Sequence, residues 1–291
     1  MATMHSTAHR TAGPGWWPAA LTAASALAAL ALAALGSGAF GGTPVQDAAG
    51  GYLSATATPL SPATRAFSIW SVIYAGLLAY AVWQLLPAAR LSPRQRAVRP
   101  WAAASMLLNA AWLWASQAGS LPLTLMVMLV LLAVLCRLFA LLLATPPASR
   151  TELVLADGTF GLYLGWISVA TAANTAAAAA AALGIRPGEP SPALPAGIPA
   201  EPAAVVVLAV GAAVGVALAL TGRAAPLLSI AWGLAWIGVG RLAGEPAMPT
   251  VGAAAFAAAA VVLAAGLAVR LRGGRAPLAH GPRKTTAGTT A

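Results

Sequence analysis

The chain has 291 residues, 60% of them hydrophobic and 8% charged. Soluble domains carry about 25% charged residues, and disordered chains combine low hydrophobicity with high charge, so both classes are excluded. The formal net charge of +10 does not call for a nucleic-acid partner, because the arginines sit in short patches between apolar runs, where orientation in a bilayer accounts for them.

Apolar surface on this scale, with a mean hydropathy of +0.82, is hidden only in lipid or between membrane spans. The fold class expected is all-α, a polytopic transmembrane bundle of about eight spans. Stretches of about 20 apolar residues, broken by Gly, Pro or charge, predict spans at 18–37, 66–86, 101–118, 122–144, 153–182, 203–221, 226–243 and 250–269. The first has a rival reading as a cleaved signal peptide, with His5, His9 and Arg10 before it and small residues at Gly36-Ser37-Gly38-Ala39 after it. The third and fourth are separated by the tight turn Ala118-Gly119-Ser120-Leu121-Pro122. The run Ala176–Ala182 reads as the small-residue end of a long helix.

Arginine placement sets the expected orientation. Arg90, Arg94, Arg96 and Arg99 follow the second span, Arg150 and Arg223 fall on the same side, and Arg270, Arg272, Arg275, Arg283 and Lys284 follow the last. Asp47, Glu189, Glu201 and Glu245 fall on the other side. The expectation is a multi-pass protein of the cell membrane with both termini cytoplasmic. Cys136 is the single cysteine and His5, His9 and His280 lie in tails, so neither a disulfide framework nor a metal site is expected.

Ten tryptophans are distributed unevenly. Trp16, Trp17, Trp83 and Trp101 lie at span ends and read as interfacial anchors. Phe67, Trp70 and Tyr74 share one helix face, as do Ser105, Asn109, Trp112 and Ser116 in the third span. In the fifth span Thr159, Tyr163, Trp166, Ala170 and Asn174 form another stripe. Polar groups at such depths face other helices or a cavity. Two uses fit: bonding across a packed bundle, or lining a shared pocket.

Three further features stand apart. Arg137, deep in the fourth span, either snorkels or pairs with Asp157 as a structural ion pair, with a proton or substrate path as the other use. Gly161-xxx-Gly165 and Gly211-xxx-Gly215 suit close packing, within the chain or in a homodimer. Trp232 and Trp236, one turn apart, form either a packing pair or a second aromatic surface.

The stripes, read in order, resemble a known family. Phe67-Ser-Ile-Trp70-Ser-Val-Ile-Tyr74-Ala-Gly76, Leu108-Asn109-Ala-Ala-Trp112 and Trp166-Ile-Ser-Val-Ala170-Thr-Ala-Ala-Asn174 are similar to the F-x-x-W-x-x-x-Y-x-x-G, L-N-x-x-W and W-x-x-x-A-x-x-x-N patterns of the TspO/MBR family. Its bacterial members are called tryptophan-rich sensory proteins, and its mitochondrial member is the peripheral benzodiazepine receptor. The chain departs from the family in its first loop, Thr58-Pro59-Leu60-Ser61-Pro62, which has Tyr52 but no Trp, and in the alanines that follow Asn174.

The resemblance implies a cytoplasmic tail at 1–17, a five-helix core at 18–182, a Pro-rich extracytoplasmic loop at 183–202, three additional helices at 203–269 as in an extended bacterial subgroup, and a basic tail at 270–291. It also implies a sensory or regulatory protein holding a flat hydrophobic ligand, of porphyrin or haem-precursor type or of sterol or isoprenoid type. Its pocket would be lined by Trp70, Tyr74, Asn109, Trp112, Tyr163, Trp166 and Asn174, with Trp and Tyr stacking on the ligand and the amides meeting its polar edge. The alternative is a transporter of a small apolar or amphipathic solute. No resident cofactor and no catalytic residue is expected, since the spans offer no paired carboxylates, buried His or phosphate loop; the light-linked porphyrin breakdown suggested for the family stays open, with no residue here that identifies it.

Overall fold

The computed structural model describes residues 16–36, 43–189 and 198–272. The signal-peptide residues around Ser37–Ala39, the three histidines, and Arg275, Arg283 and Lys284 lie outside the described residues. Among the described residues there are eight long helices: α1 (Trp17–Gly36), α2 (Ile69–Gln84), α3 (Pro93–Gln117), α4 (Leu121–Ala144), α5 (Thr159–Ala182), α6 (Ala200–Ala219), α7 (Ala224–Ala243) and α8 (Pro249–Leu271). Short helical turns precede α2 (Thr64–Ser68), join α2 to α3 (Pro87–Arg90) and lead into α5 (Arg150–Glu152, then a π-helical turn Leu153–Gly158). No strand occurs among the described residues.

Several starts follow from local chemistry. α3 opens with Pro93 in its first turn, and the Ser92 side chain accepts from the Gln95 amide, satisfying a donor that the helix leaves free. Proline likewise begins α4 at Pro122 and α8 at Pro249. Ser149 accepts from the Glu152 amide at 3.1 Å and starts the turn before α5.

Among the described residues six segments are long and apolar enough to cross a membrane: Thr64–Gln84, Leu121–Ala144, Arg150–Ala182, Ala200–Ala219, Ala224–Ala243 and Pro249–Leu271. The sequence suggested about eight. α3 differs because it begins two turns before the expected span, taking Arg94, Arg96 and Arg99 into the helix itself. In α1 the apolar stretch among the described residues is Ala20–Ala29. The protein is thus a polytopic helical bundle whose third helix has a polar first half.

Packing divides the bundle into two joined lobes. α1 packs on α2 and α3, α3 on α4, and α4 on α5; in the second lobe α8 packs on both α6 and α7. The lobes meet where α5 lies along α7. The first core gathers Ile73, Leu77, Met106, Leu131, Leu135, Phe160 and Tyr163. The second gathers Leu208, Ile230, Leu234, Ile237, Val251 and Val262, and it also takes in Leu60 from the first loop.

Glycine makes the seam close. A Cβ on Gly161 would stand 2.9 Å from Ala225 and Pro226, and one on Gly165 would collide with the Pro226 carbonyl oxygen. Gly215 of α6 meets Val262 of α8 in the same way. Both small-residue pairs of the sequence therefore face neighbouring helices of the same chain, where the missing side chain lets backbones approach.

Candidate ligand pocket

The aromatic stripes converge at the end of the bundle where α3 and α5 finish. Phe67, just before α2, meets Trp166 edge to face at 5.7 Å. Trp70 stacks on Tyr74 with ring centroids 5.1 Å apart and planes 22° from parallel. Trp70 also meets Tyr163 and Trp166 edge-on, at 5.7 and 6.4 Å. These separations fall in the range where offset and edge-to-face pairs are favourable.

The amides tie the stripes together. Asn109 Nδ2 donates to Tyr74 Oη at 2.8 Å, joining α3 to α2. Trp112 Nε1 donates to Asn174 Oδ1 at 3.2 Å, joining α3 to α5, and Asn174 Nδ2 donates to the Ala170 carbonyl. Tyr74 accepts from Asn109, which leaves its own hydroxyl hydrogen to meet an acceptor in the cavity it lines.

Two cavities adjoin these groups. One of about 330 Å³ is lined by Tyr74, Asn109 and Leu113. A smaller one of about 50 Å³ lies towards α5, against Trp166, Ala170 and Asn174. Val45, Phe67, Trp70 and Trp112 border both, so they form the partition. The first loop closes the smaller cavity with Tyr52, Leu53, Ser54, Ser61 and Pro62. That loop is held in shape by a turn in which Ser61 Oγ lies 3.0 Å from Thr58 Oγ1 and accepts from the Thr58 amide.

Of the expected pocket residues, Trp70, Tyr74, Asn109, Trp112, Trp166 and Asn174 line one cavity or both. Tyr163 does not: it is fully buried behind Trp70 and its hydroxyl donates to the Ser105 carbonyl at 3.2 Å. Tyr52, Leu53 and Met128 line the smaller cavity as well; helical periodicity has no means of finding the first two, which are loop residues, and Met128 is one apolar residue among many in α4.

The expected Arg137–Asp157 pair does not form. Asp157 lies in the π-helical turn, where Arg94 Nη2 donates to both its oxygens at 2.9 Å and Arg223 Nη1 stands 3.2 Å away. Arg137 lies on the exposed side of α4, off the buried line Leu131–Leu135–Leu138–Leu142, with its guanidinium 5.9 Å from the Trp101 ring centre. Asp157 faces α3 and α7 instead.

Arg94 anchors a longer buried chain. Its Nη1 donates to Glu152 Oε1 at 3.1 Å, and Gln95 Nε2 donates to the same oxygen. Gln95 Oε1 accepts from Tyr80 and Gln84, and Gln84 Oε1 accepts from Arg99. Arg94, Arg99 and Arg223, read from the sequence as loop charges, are therefore buried structural cations. Trp83, expected at an interface, is buried too and packs 6.1 Å from Tyr80. Trp16, Trp17 and Trp114 are exposed. Among the described residues no group of His, Cys, Asp and Glu is arranged to hold a metal ion.

A helical bundle with six helices among the described residues long and apolar enough to cross a bilayer, and an aromatic-lined cavity between them and the first loop, defines a polytopic membrane protein. A family model described as TSPO-like protein matches residues 19–268, and the chain belongs to that family. The match runs through α6, α7 and α8 as well as the motif-bearing helices. No curated protein and no solved structure matches the chain.

Proposed function

We propose that the protein is an integral membrane sensor or regulator that binds a flat, largely apolar ligand with one polar edge, porphyrin-like or sterol- and isoprenoid-like, between α2, α3 and α5. One observation carries this reading. Two cavities share a partition of Phe67, Trp70 and Trp112, and each is also lined by hydrogen-bonding side chains, Tyr74 and Asn109 in one and Asn174 in the other. The stacked Trp70–Tyr74 pair offers a planar wall, which suits a planar ligand. The larger cavity alone is at the small end of the usual range for ligand pockets. A porphyrin would need both, joined by rotation of the partition side chains.

The reading is of a binding protein, with both termini cytoplasmic. Exposed Arg96, Arg150, Arg270 and Arg272 gather at the end of the bundle away from the pocket, as expected for cytoplasmic ends. The test is titration of the detergent-solubilised protein with protoporphyrin IX while following tryptophan fluorescence. Saturable quenching that weakens in Trp70→Ala and Trp166→Ala is expected. Quenching that does not saturate, or is the same in both variants, overturns the reading.

A further inference from the structure

The first loop covers the smaller cavity; Gln117 of α3 and the Gly188 amide bond it at Thr43 and Ala57, and the second lobe fastens it as well. Three hydrogen bonds run from α7 to this loop and to the turn that follows it. The Ala63 amide donates to the Trp236 carbonyl at 3.0 Å. Trp232 Nε1 donates to the Ala66 carbonyl at 2.9 Å, and Arg241 Nη2 donates to the Ala55 carbonyl at 2.7 Å. Between them, Gly240 lets the loop backbone in: a Cβ there would stand 3.3 Å from the Ala63 nitrogen and 3.4 Å from the Ser61 oxygen. Leu60 is sunk in the second core beside this line of contacts. Neither Trp232 nor Arg241 lines either cavity.

Arg241 is an odd choice if stability alone is at stake. It is 1% exposed, donates only to the carbonyls of Ala55 and Glu245, and leaves Nε and Nη1 without a hydrogen-bond partner. A buried cation whose hydrogen bonds go only to carbonyl groups, with the Glu245 carboxylate acting on it through space, is costly, and an apolar side chain of similar length often serves stability as well or better. What the guanidinium adds is a charge-assisted bond to one backbone oxygen of the loop.

We propose that α7 is the latch of the pocket roof: Arg241 and Trp232 are positioning residues that hold residues 52–66 closed, and so govern how fast a hydrophobic ligand exchanges. This gives the second lobe a function in the pocket of the first. It rests on the ligand reading above only for the exchange of ligand; the opening of the roof is measurable without one.

The experiment reports on the roof directly. In a Cys136→Ser background, a single thiol is placed beneath the roof by Ala170→Cys, or by Ala173→Cys as a second position, since both residues line the smaller cavity. Ala102→Cys, in the buried half of α3 far from the roof, is the control. Labelling by a water-soluble maleimide is followed in detergent with Arg241→Met, Trp232→Phe, both together, and Arg241→Lys, which keeps a donor.

Losing a bond to a charged donor predicts labelling beneath the roof faster by about tenfold or more in Arg241→Met. The double variant is faster still, and Arg241→Lys stays nearer the parent. Ala102→Cys stays protected throughout and the melting temperature of Arg241→Met is unchanged or raised. Unchanged labelling in the double variant overturns the latch, and so does an equal rise at Ala102→Cys, which marks a loosened bundle. With protoporphyrin IX, the latch variants should release the probe faster while the depth of quenching at saturation is kept. If the parent protein fails to bind protoporphyrin IX at all, the ligand reading falls while the labelling rates still decide the latch.

Discussion

At the Arg94 end of the bundle, Gln84, Arg94, Gln95, Arg99 and Glu152 are joined by buried hydrogen bonds, and Asp157 accepts from Arg94 and pairs with Arg223; at the Trp70 end, uncharged amides, an indole and a phenol bond one another around open space. Both regions join α3 to α5. In the first, partners are charged and close-packed, so removing one strands another in a low-dielectric interior. In the second, each bond is neutral and borders a cavity, so a ligand can replace it. Polar side chains within one helical bundle thus meet in two ways, as buried charges that cannot be stranded and as neutral groups that line a cavity.

Asp157 is where this contrast is most exposed to failure. Asp157→Ala leaves Arg94 and Arg223 facing each other without their shared carboxylate, and the expected loss is about 3–5 kcal/mol, read as a large fall in melting temperature in detergent and poor recovery of folded protein. A variant that melts like the parent would show that the network is not structural.

Trp70→Ala should do the reverse. Protoporphyrin IX affinity is expected to fall by about 2 kcal/mol, roughly 30-fold, as for a central aromatic anchor, with a smaller change in melting temperature than Asp157→Ala. Equal affinity in a titration would move the site away from the partition.

A finer probe is Trp112→Phe, which keeps the ring but removes the donor to Asn174. The expected cost is about 1 kcal/mol in stability. A ligand carrying a hydrogen-bond donor should bind this variant relatively better than one without, and the absence of any such difference would detach Asn174 from recognition.

The smallest effect is expected at Arg137→Ala. Its guanidinium has a ring for a partner instead of a carboxylate, and an exposed cation–π contact contributes about 1 kcal/mol or less. A fall in melting temperature as large as that of Asp157→Ala would restore Arg137 as the partner of the buried acid.

Much of this architecture is legible in the order of the amino acids. Composition alone puts the chain in a membrane, and the eight helices lie within a few residues of the apolar runs, α3 excepted. The stripes of α2, α3 and α5 are visible because a 3.6-residue period places Trp70 over Tyr74 and Asn109 over Trp112. The partner of Asp157 is not visible in this way. Arg94 is 63 residues away in the chain, and it reaches Asp157 only because α3 starts early and the π-helical turn before α5 carries the acid towards α3 and α7. Tyr163 shares a stripe with the pocket residues, yet it sits behind Trp70 because α2 packs over it.

What the amino-acid order determined unaided is the helical class, most of the apolar helices and the aromatic and amide stripes, since hydrophobic transfer and helical periodicity act locally along the chain. Which arginine neutralises which acid, which tryptophans are buried, and the use of α7 to hold a loop some 170 residues earlier were decided only when the lobes packed along the glycine seam of α5. Those contacts depend on the distance between backbones, and no window of sequence contains it.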